Sequence, residues 1–291
     1  ENLHLEIPEG EVFGLIGPNG AGKTTLIRIL STLLEPTYGT ARIAGIDVVE
    51  EPLKVHPLIG YMSDFFSLYE DLLVWEYLDH FARCYGLKPK ERRRIIDDVL
   101  QLVSLEVRRD AEVKALSRGM RQRLCFAKTL LHQPKVLLLD EPASGLDPAG
   151  RLEFREMLKK LKEMGRTVLI SSHILTEMTE FCTSIGIMEQ GRLLAAGRVD
   201  EILARLQTGL RLELEVLEQS NRLVELLAAE TVVTNLAAEN GRVSCRFVGS
   251  REQLPDLHRR IVGAGIPLVS FAARTDNLED IYMKISGHRT S

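Results

Sequence analysis

The chain has 291 residues and 45% hydrophobic content, which is enough for one large or two moderate globular domains. Its 37 basic and 41 acidic residues give a net charge of −4, so the overall charge does not indicate a nucleic-acid-binding protein or a polybasic membrane surface. No apolar run reaches the roughly 18 residues of a membrane-spanning helix, and no signal peptide is recognisable. The four scattered cysteines indicate reduced thiols rather than disulfides or a zinc site.

The first part of the chain combines buried strands with one helix. An apolar run predicts a strand over residues 11–16, and helical periodicity predicts a helix over 21–33 that is stopped by Pro36. Further short strands are predicted over residues 39–43, 46–49 and 58–62.

Residues 17–25, with the sequence GPNGAGKTT, connect this strand to this helix and have the form of a phosphate-binding P-loop. Gly17 and Gly22 are expected to adopt positive φ, so that several backbone N–H groups converge on one anion. Lys23 would reach the outer phosphates, and the Thr24 hydroxyl would ligate Mg²⁺. A glycine-rich turn that binds nothing is disfavoured by the strand-loop-helix context. The residues expected to hold the nucleotide are Gly17, Pro18, Asn19, Gly20, Ala21, Gly22, Lys23, Thr24 and Thr25.

The character of the chain changes over residues 72–132, where almost no strand pattern is present. Helical periodicity there predicts helices over 74–85, 90–103 and 118–131. Ser117 is placed to cap the last of them. We therefore expect a helical insertion.

An apolar run over residues 136–139 predicts a strand buried on both faces, and it leads directly into Asp140-Glu141-Pro142. In a P-loop protein, a carboxylate at the end of such a strand holds Mg²⁺ directly or through water, which is the role expected of Asp140. Glu141 stands where a general base would face the γ-phosphate, and such groups contribute roughly 10² to 10⁴ in rate. The alternative is an exposed acidic turn, which the P-loop and the apolar run disfavour.

The next segments again alternate strands with helices. Asp147 and Pro148 open a helix that Gly165 ends, and a short helix begins near residue 174. Strands are predicted over residues 167–171, 184–189 and 192–196, the last two as a hairpin. This alternation around a P-loop predicts an α/β fold with a mostly parallel sheet.

After a linking helix over 200–206, the pattern restarts. Strands are predicted over 210–217, 232–238, 242–247 and 267–273, and helices over 221–229, 251–264 and 278–285. The order predicts a small α+β ferredoxin-like accessory domain over 207–291. It contains no chemical motif, so docking or regulation and a stabilising appendage both remain open.

Three further motifs occur in order: LSRGMRQ at 116–122, SGLD at 144–147, and SSH ending at His173. Together with the P-loop and the DEP tripeptide, they resemble the nucleotide-binding subunit of an ATP-binding cassette (ABC) transporter over residues 1–206. The tail, with LEDIY at 278–282, resembles that of the ATPase components of ABC-2 type exporters. The resemblance implies a P-loop NTPase cassette with a mostly parallel sheet, antiparallel strands and a helical subdomain at about 72–132.

The resemblance also implies roles for matching residues. Ser117 and Gly119 would present a hydroxyl and a backbone N–H to the γ-phosphate bound on an opposite chain. The active unit would then be a dimer, either of two identical chains or with a similar cassette, that encloses two ATP molecules. Asp147 would lie at that interface, and His173 would contact the γ-phosphate and position the attacking water or Glu141. Taken alone, a histidine after a buried strand is more often a packed one.

The implied function is an ATPase that uses ATP and Mg²⁺ to power export through a separate integral-membrane permease, at the cytoplasmic face of the membrane. No nucleic-acid partner is expected. The alternative is a soluble ABC ATPase switch that acts on ribosomes or DNA. A third possibility, a non-hydrolysing subunit, is disfavoured by the intact residues Lys23, Asp140, Glu141 and His173. The transported substrate stays open.

The sequence departs from the family pattern at three places. Asp64 stands where the family usually has a glutamine, and it can still ligate Mg²⁺ through oxygen. Arg118 and Met120 stand where the family commonly has glycine and glutamine, and we expect Arg118 to point into solvent. The aromatic residue that commonly stacks on adenine, worth about 1 to 3 kcal/mol, is expected upstream of residue 1.

Overall fold

The computed structural model describes residues 3–65, 67–206, 210–239 and 241–275. The chain divides into two compact units, residues 1–199 and 200–291. The sequence-based boundary after residue 206 stays a prediction. Within the described ranges, every helix is too short or too polar to cross a lipid bilayer.

The first unit is built around a six-stranded sheet. The strands of this unit are β1 Val12–Ile16, β2 Arg42–Ile43, β3 Ile46–Asp47, β4 Ile59–Met62, β5 Val136–Asp140, β6 Thr167–Ser172, β7 Ser184–Glu189 and β8 Arg192–Arg198. The large sheet has the order β4-β5-β6-β1-β7-β8, and all of its neighbouring strands are parallel except β7 and β8. β1 is buried at every position, and β5 and β6 are buried at all but their first, which explains their uninterrupted apolar sequences.

Helices cover this sheet and fill the stretch between β4 and β5. They are α1 Lys23–Leu30, α2 Pro52–Val55, α3 Val74–Cys84, α4 Pro89–Leu102, α5 Arg118–Leu130, α6 Pro148–Glu163 and α7 Leu175–Phe181. Ile27 of α1 is buried in one core cluster with Leu15 of β1 and Leu138 of β5, so α1 packs directly on the central strands. The short helix α2 was not predicted from the sequence. Among these residues, α3, α4 and α5 follow one another as the periodicity indicated.

The second unit is a four-stranded antiparallel sheet with two helices packed on it. Its elements follow helix α8 Val199–Leu206 and are β9 Leu210–Val216, α9 Ser220–Ala228, β10 Val233–Glu239, β11 Arg242–Phe247, α10 Leu254–Gly263 and β12 Leu268–Thr275. The strand order is β10-β11-β9-β12. Leu214, Phe247, Leu227 and Ile261 belong to one buried core, which joins the sheet to both helices. The predicted helix over 278–285 lies outside the described residues.

Candidate functional site

Three neighbouring strands lead at their carboxyl ends into the P-loop, the acidic pair and His173. β1 ends at Ile16 before the P-loop, β5 ends at Asp140, and β6 ends at Ser172, directly before His173. Because β5, β6 and β1 are adjacent and parallel, these ends meet at one edge of the sheet. The strand order therefore brings together segments that are distant in the sequence.

The P-loop turns into helix α1 at Gly22, which has a left-handed φ of 102° as expected. Gly17 does not have positive φ, which corrects the sequence-based expectation. Close packing instead requires glycine at this position, because a Cβ at Gly17 would lie 2.2 Å from the carbonyl oxygen of Met188 on β7. Gly20, with φ of 82°, supplies the second left-handed turn of the loop.

Lys23 lies against its own loop and against the acidic pair. Only 6% of its side chain is exposed. Its Nζ donates to the carbonyl oxygens of Gly17 at 2.7 Å and Pro18 at 3.2 Å, and it lies 3.5 Å from Glu141 Oε1. The ammonium group is therefore held at the centre of the loop, where a phosphate would bind.

Asp140 is completely buried at the end of β5. Ser171 of the neighbouring strand β6 donates its hydroxyl to Asp140 Oδ1 at 2.5 Å. The same hydroxyl accepts the Glu141 N–H at 2.9 Å, so one serine fixes both acidic residues. Asp140 Oδ2 is buried and has no hydrogen-bond partner among the described residues.

Glu141 and His173 are in direct contact. Glu141 Oε2 lies 2.9 Å from His173 Nδ1, while Oε1 faces Lys23. The Glu141 side chain is 16% exposed and that of His173 is 48% exposed. The backbone N–H of Gly17 donates to the carbonyl of Ser172 at 3.3 Å, which ties the loop before His173 to the P-loop. The structure thus joins Lys23, Glu141 and His173 in one cluster.

Comparison with known proteins shows the family to which the chain belongs. The family described as ABC transporter matches residues 1–144. The chain is 35% identical to the uncharacterized ABC transporter ATP-binding protein YdbJ of Bacillus subtilis (strain 168), over 98% of this chain and 89% of that protein. It is 34% identical to the daunorubicin resistance ATP-binding protein DrrA3 of Streptomyces coeruleorubidus, over 99% of this chain and 90% of that protein. The chain belongs to the ABC transporter ATP-binding proteins.

Solved structures agree with this assignment. A structure of an ATP-binding subunit of an ABC transporter superposes with a TM-score of 0.63 and 32% identity, over 70% of this chain and 85% of that one. The dimeric ATP-binding cassette MJ0796 bound to ADP and Pi superposes with a TM-score of 0.62 and 28% identity, over 68% and 90%. This ABC ATPase is therefore an ATP-hydrolysing subunit that powers transport, and the alternative of a soluble switch on ribosomes or DNA is not favoured.

Ser117 and Gly119 of the LSRGMRQ segment make no hydrogen bond or ion pair with Lys23, Glu141 or His173 in the described part of the chain. Ser117 is exposed and caps α5 by accepting the Met120 N–H at 3.3 Å. Among the described residues, no hydrogen bond or ion pair joins Ser117 or Gly119 to the P-loop. Arg118 is exposed as expected, but its guanidinium also lies against Gly145, where a Cβ would come within 2.7 Å of Arg118 Cζ.

Two further predicted residues lie in loops at the same edge of the sheet. Asp147 caps α6 by accepting the Gly150 N–H at 2.9 Å, as its position before Pro148 indicated. Asp64 is exposed in the loop that follows β4, the strand next to β5. Neither residue contacts Lys23 or Glu141 through a hydrogen bond or ion pair in the described ranges.

The sequence reasoning missed two residues that hold the site together. Ser171 orients both acidic residues, and the only sequence signal for it is its place in the SSH segment. Gln122 of α5 is buried, and its Nε2 donates to the Pro142 carbonyl, directly after Glu141. In the sequence, Gln122 is a polar residue on the apolar side of an amphipathic helix. Such a residue is expected to be buried and to have a hydrogen-bond partner.

Proposed function

We propose that this ABC ATPase binds ATP on residues 17–25 and hydrolyses it with Glu141 as the general base. The observation that carries the proposal is the position of the Glu141 carboxylate, with one oxygen 3.5 Å from Lys23 Nζ and the other 2.9 Å from His173 Nδ1. A carboxylate held between a P-loop lysine and a histidine is suited to take a proton from a water that attacks the γ-phosphate.

Glu141 and His173 have different tasks in this reaction. An ionised carboxylate only accepts hydrogen bonds, so the N–H at His173 Nδ1 donates a hydrogen bond to Glu141 Oε2. Oε1 is then the oxygen that accepts the proton of the attacking water. With a proton on each ring nitrogen, Nε2 of His173 donates a hydrogen bond to the γ-phosphate, and Lys23 contributes fixed positive charge to the outer phosphates.

We propose that Asp140, Thr24 and Asp64 hold Mg²⁺. The buried Asp140 Oδ2 supports this, because it lacks a hydrogen-bond partner among the described residues and a buried carboxylate oxygen requires one. Thr24 in the first turn of α1 and Asp64 after β4 offer the oxygen ligands that Mg²⁺ prefers. When bound, Mg²⁺ neutralises charge on the β- and γ-phosphates.

We propose that Ser117, Gly119 and Asp147 complete the ATP site of a second chain. Ser117 and Gly119 flank the N-terminus of α5, where a helix favours a bound anion. The dimeric state of the similar cassette bound to ADP and Pi supports such a pairing. The partner is a second copy of this chain or a similar cassette, and the dimer encloses two ATP molecules.

We propose that the dimer powers export through an integral-membrane permease, at the cytoplasmic face of the membrane. Two similar proteins support the proposal of export by their names. One is the Nod factor export ATP-binding protein I of Cupriavidus metallidurans, and the other is the daunorubicin resistance protein described above. Residues 63–85 are proposed to contact the permease, since they run from Asp64 to helix α3. In this segment Tyr69 is 55% exposed and stacks on Phe81, with ring centroids 6.3 Å apart.

The second unit is proposed to be a ferredoxin-like accessory domain. The order β-α-β-β-α-β from β9 to β12 supports this, as does the fully antiparallel sheet in which β9 and β11 are central. Docking, regulation and simple stabilisation all remain compatible with it.

The test of catalysis is Glu141→Gln. The wild-type chain should hydrolyse ATP, and the variant should lose on the order of 10² to 10⁴ in kcat because it lacks the proton acceptor. It should still bind ATP, so size-exclusion chromatography with ATP and Mg²⁺ should show a dimer that persists. Glu156→Gln is the matched control, because Glu156 is exposed on α6 and its ion pair is with Lys159. Equal turnover by Glu141→Gln and the wild type would overturn the assigned role.

The test of export is co-purification. Extraction of the chain from its native membranes in mild detergent should recover an integral-membrane protein in a fixed ratio to it. Recovery of the chain with lipid alone would contradict the permease part of the proposal, without affecting the assignment of Glu141.

A further inference from the structure

We propose that Glu177 and Arg151 are positioning residues, whose ion pair holds the loop that carries His173 against the helix that begins after Asp147. The inference rests on the function proposed above for His173 and Glu141. No sequence motif singles out either residue of the pair.

Glu177 lies on α7, just beyond the loop with His173, and only 7% of it is exposed. Its Oε2 is 3.5 Å from Ser172 Oγ. That hydroxyl also accepts the Ile174 N–H at 3.0 Å, so it bridges the backbone around His173. Glu177 thereby contacts the side chain that hydrogen-bonds the backbone next to His173.

Arg151 provides the partner from another segment. Its Nε lies 3.1 Å from Glu177 Oε1. The two atoms are not aligned for a hydrogen bond, so the contact is ionic in character. Arg151 lies in the first turn of α6, and its backbone N–H donates to the Asp147 carbonyl at 3.0 Å. The pair therefore links the Asp147 segment to the His173 loop within one chain.

The charge on Glu177 depends on this partner. Burial raises the pKa of Glu177, the charges of Arg151 and His173 lower it, and the nearby Glu141 carboxylate raises it. Without Arg151, the buried Glu177 carboxylate would be left without a cation. Either the carboxylate would take up a proton or the structure around it would rearrange.

The primary experiment is steady-state ATP hydrolysis by Glu177→Gln, which keeps the shape of the side chain and removes its charge. We expect kcat to fall by about 10-fold to 100-fold, because a small misplacement of His173 has effects of that order. The KM for ATP should change by less than about twofold, since the P-loop contacts are retained. A wild-type kcat for Glu177→Gln would overturn the inference.

Glu180→Gln is the matched control. Glu180 lies on the same helix, and its carboxylate is 3.9 Å from Arg155 of α6, so this second pair joins the same two helices. No hydrogen bond or ion pair in the described ranges joins Glu180 to Ser172 or His173. We expect its kcat to stay within about twofold of the wild type. An equal loss in both variants would mean that helix packing alone is responsible.

A double-mutant cycle separates positioning from general damage. In the His173→Ala background, Glu177→Gln should lower kcat by less than about twofold, because its effect passes through the missing histidine. If the kcat of His173→Ala is too low to measure, a second cycle combines Arg151→Met with Glu177→Gln. The kcat of this double variant should be no lower than that of the slower single variant. Additive losses in the measurable cycle would overturn the inference.

The wild type and Glu141→Gln belong in the same assays. If the wild type hydrolyses ATP and Glu141→Gln traps a dimer while Glu177→Gln behaves as wild type, the positioning inference alone fails. If the wild type does not hydrolyse ATP, the proposed function fails.

Discussion

Glu141 adopts a backbone conformation that few residues other than glycine hold, with φ of 49°. Such a conformation costs of the order of 1 to 3 kcal/mol and persists only where several contacts impose it. Here the Ser171 hydroxyl accepts its N–H, and Lys23 and His173 flank its carboxylate. In this conformation the carboxylate lies 3.5 Å from Lys23 Nζ of the P-loop. A strained backbone at this position agrees with the catalytic role that we propose.

The cysteines provide a test at the same scale. Cys84 is exposed, whereas Cys125, Cys182 and Cys245 are buried. Burial raises the pKa of all three buried thiols, to about 11 for Cys245, so they hold little reactive thiolate at neutral pH. We expect a maleimide reagent at pH 7 to modify the native chain once, at Cys84. Mass spectrometry should find no product in Cys84→Ser and four labels after denaturation.

At the scale of elements, the close contact of β4 with α5 is set by Gly60. A Cβ at Gly60 would lie 2.5 Å from the Thr129 carbonyl oxygen and 2.8 Å from Leu137 Cδ2. The side chain of any other residue would therefore push the helix from the strand. Because β4 leads into Asp64 and α5 begins after Ser117, this contact also positions two segments of the proposed site.

Gly60→Ala should destabilise the first unit by about 1 to 3 kcal/mol, as overpacking of a filled core does. We expect the apparent Tm to fall by about 3 to 10 °C, measured by circular dichroism. Gly263→Ala on α10 is the control, because open space surrounds that position and alanine favours a helix by up to about 1 kcal/mol. A Gly60→Ala variant as stable as the wild type would contradict the packing described here.

At the scale of the molecule, the order β5-β6-β1 explains why one sheet edge collects a lysine, two carboxylates and a histidine. The sheet supplies half of the proposed site, and we propose that the Ser117 segment of a second chain supplies the other half. ATP should therefore stabilise the fold and couple it to association.

Thermal unfolding of Glu141→Gln with ATP and Mg²⁺ tests this coupling. A ligand at about 100 times its Kd adds about 2.7 kcal/mol to the stability of the state that binds it. We expect the apparent Tm to rise by about 5 to 10 °C and to increase further with protein concentration, since the proposed ATP-bound state is a dimer. Adding Lys23→Met to this variant should remove both effects. A rise that is independent of protein concentration would mean that ATP binds without dimer formation.

Much of the cassette could be predicted from the sequence, because its signals are local. The apolar runs that end at Ile16 and Asp140 each require burial on both faces, and the P-loop pattern is a property of nine consecutive residues at 17–25. The prediction failed where a distant neighbour decides the outcome. Gly17 was assigned a positive φ, but the Met188 carbonyl on β7 is what excludes a side chain there.

The sequence by itself determined the family, the nucleotide loop and the identity of the residues proposed for catalysis, because each lies in a short motif with its own chemistry. Only the tertiary structure decided which of them touch. Glu141 meets Lys23 and His173 because strand order, which no local pattern encodes, places β5, β6 and β1 side by side. The pairing of Glu177 with Arg151 likewise depends on how α6 and α7 pack. The burial of the Glu177 carboxylate follows from this packing and cannot be read from the local sequence.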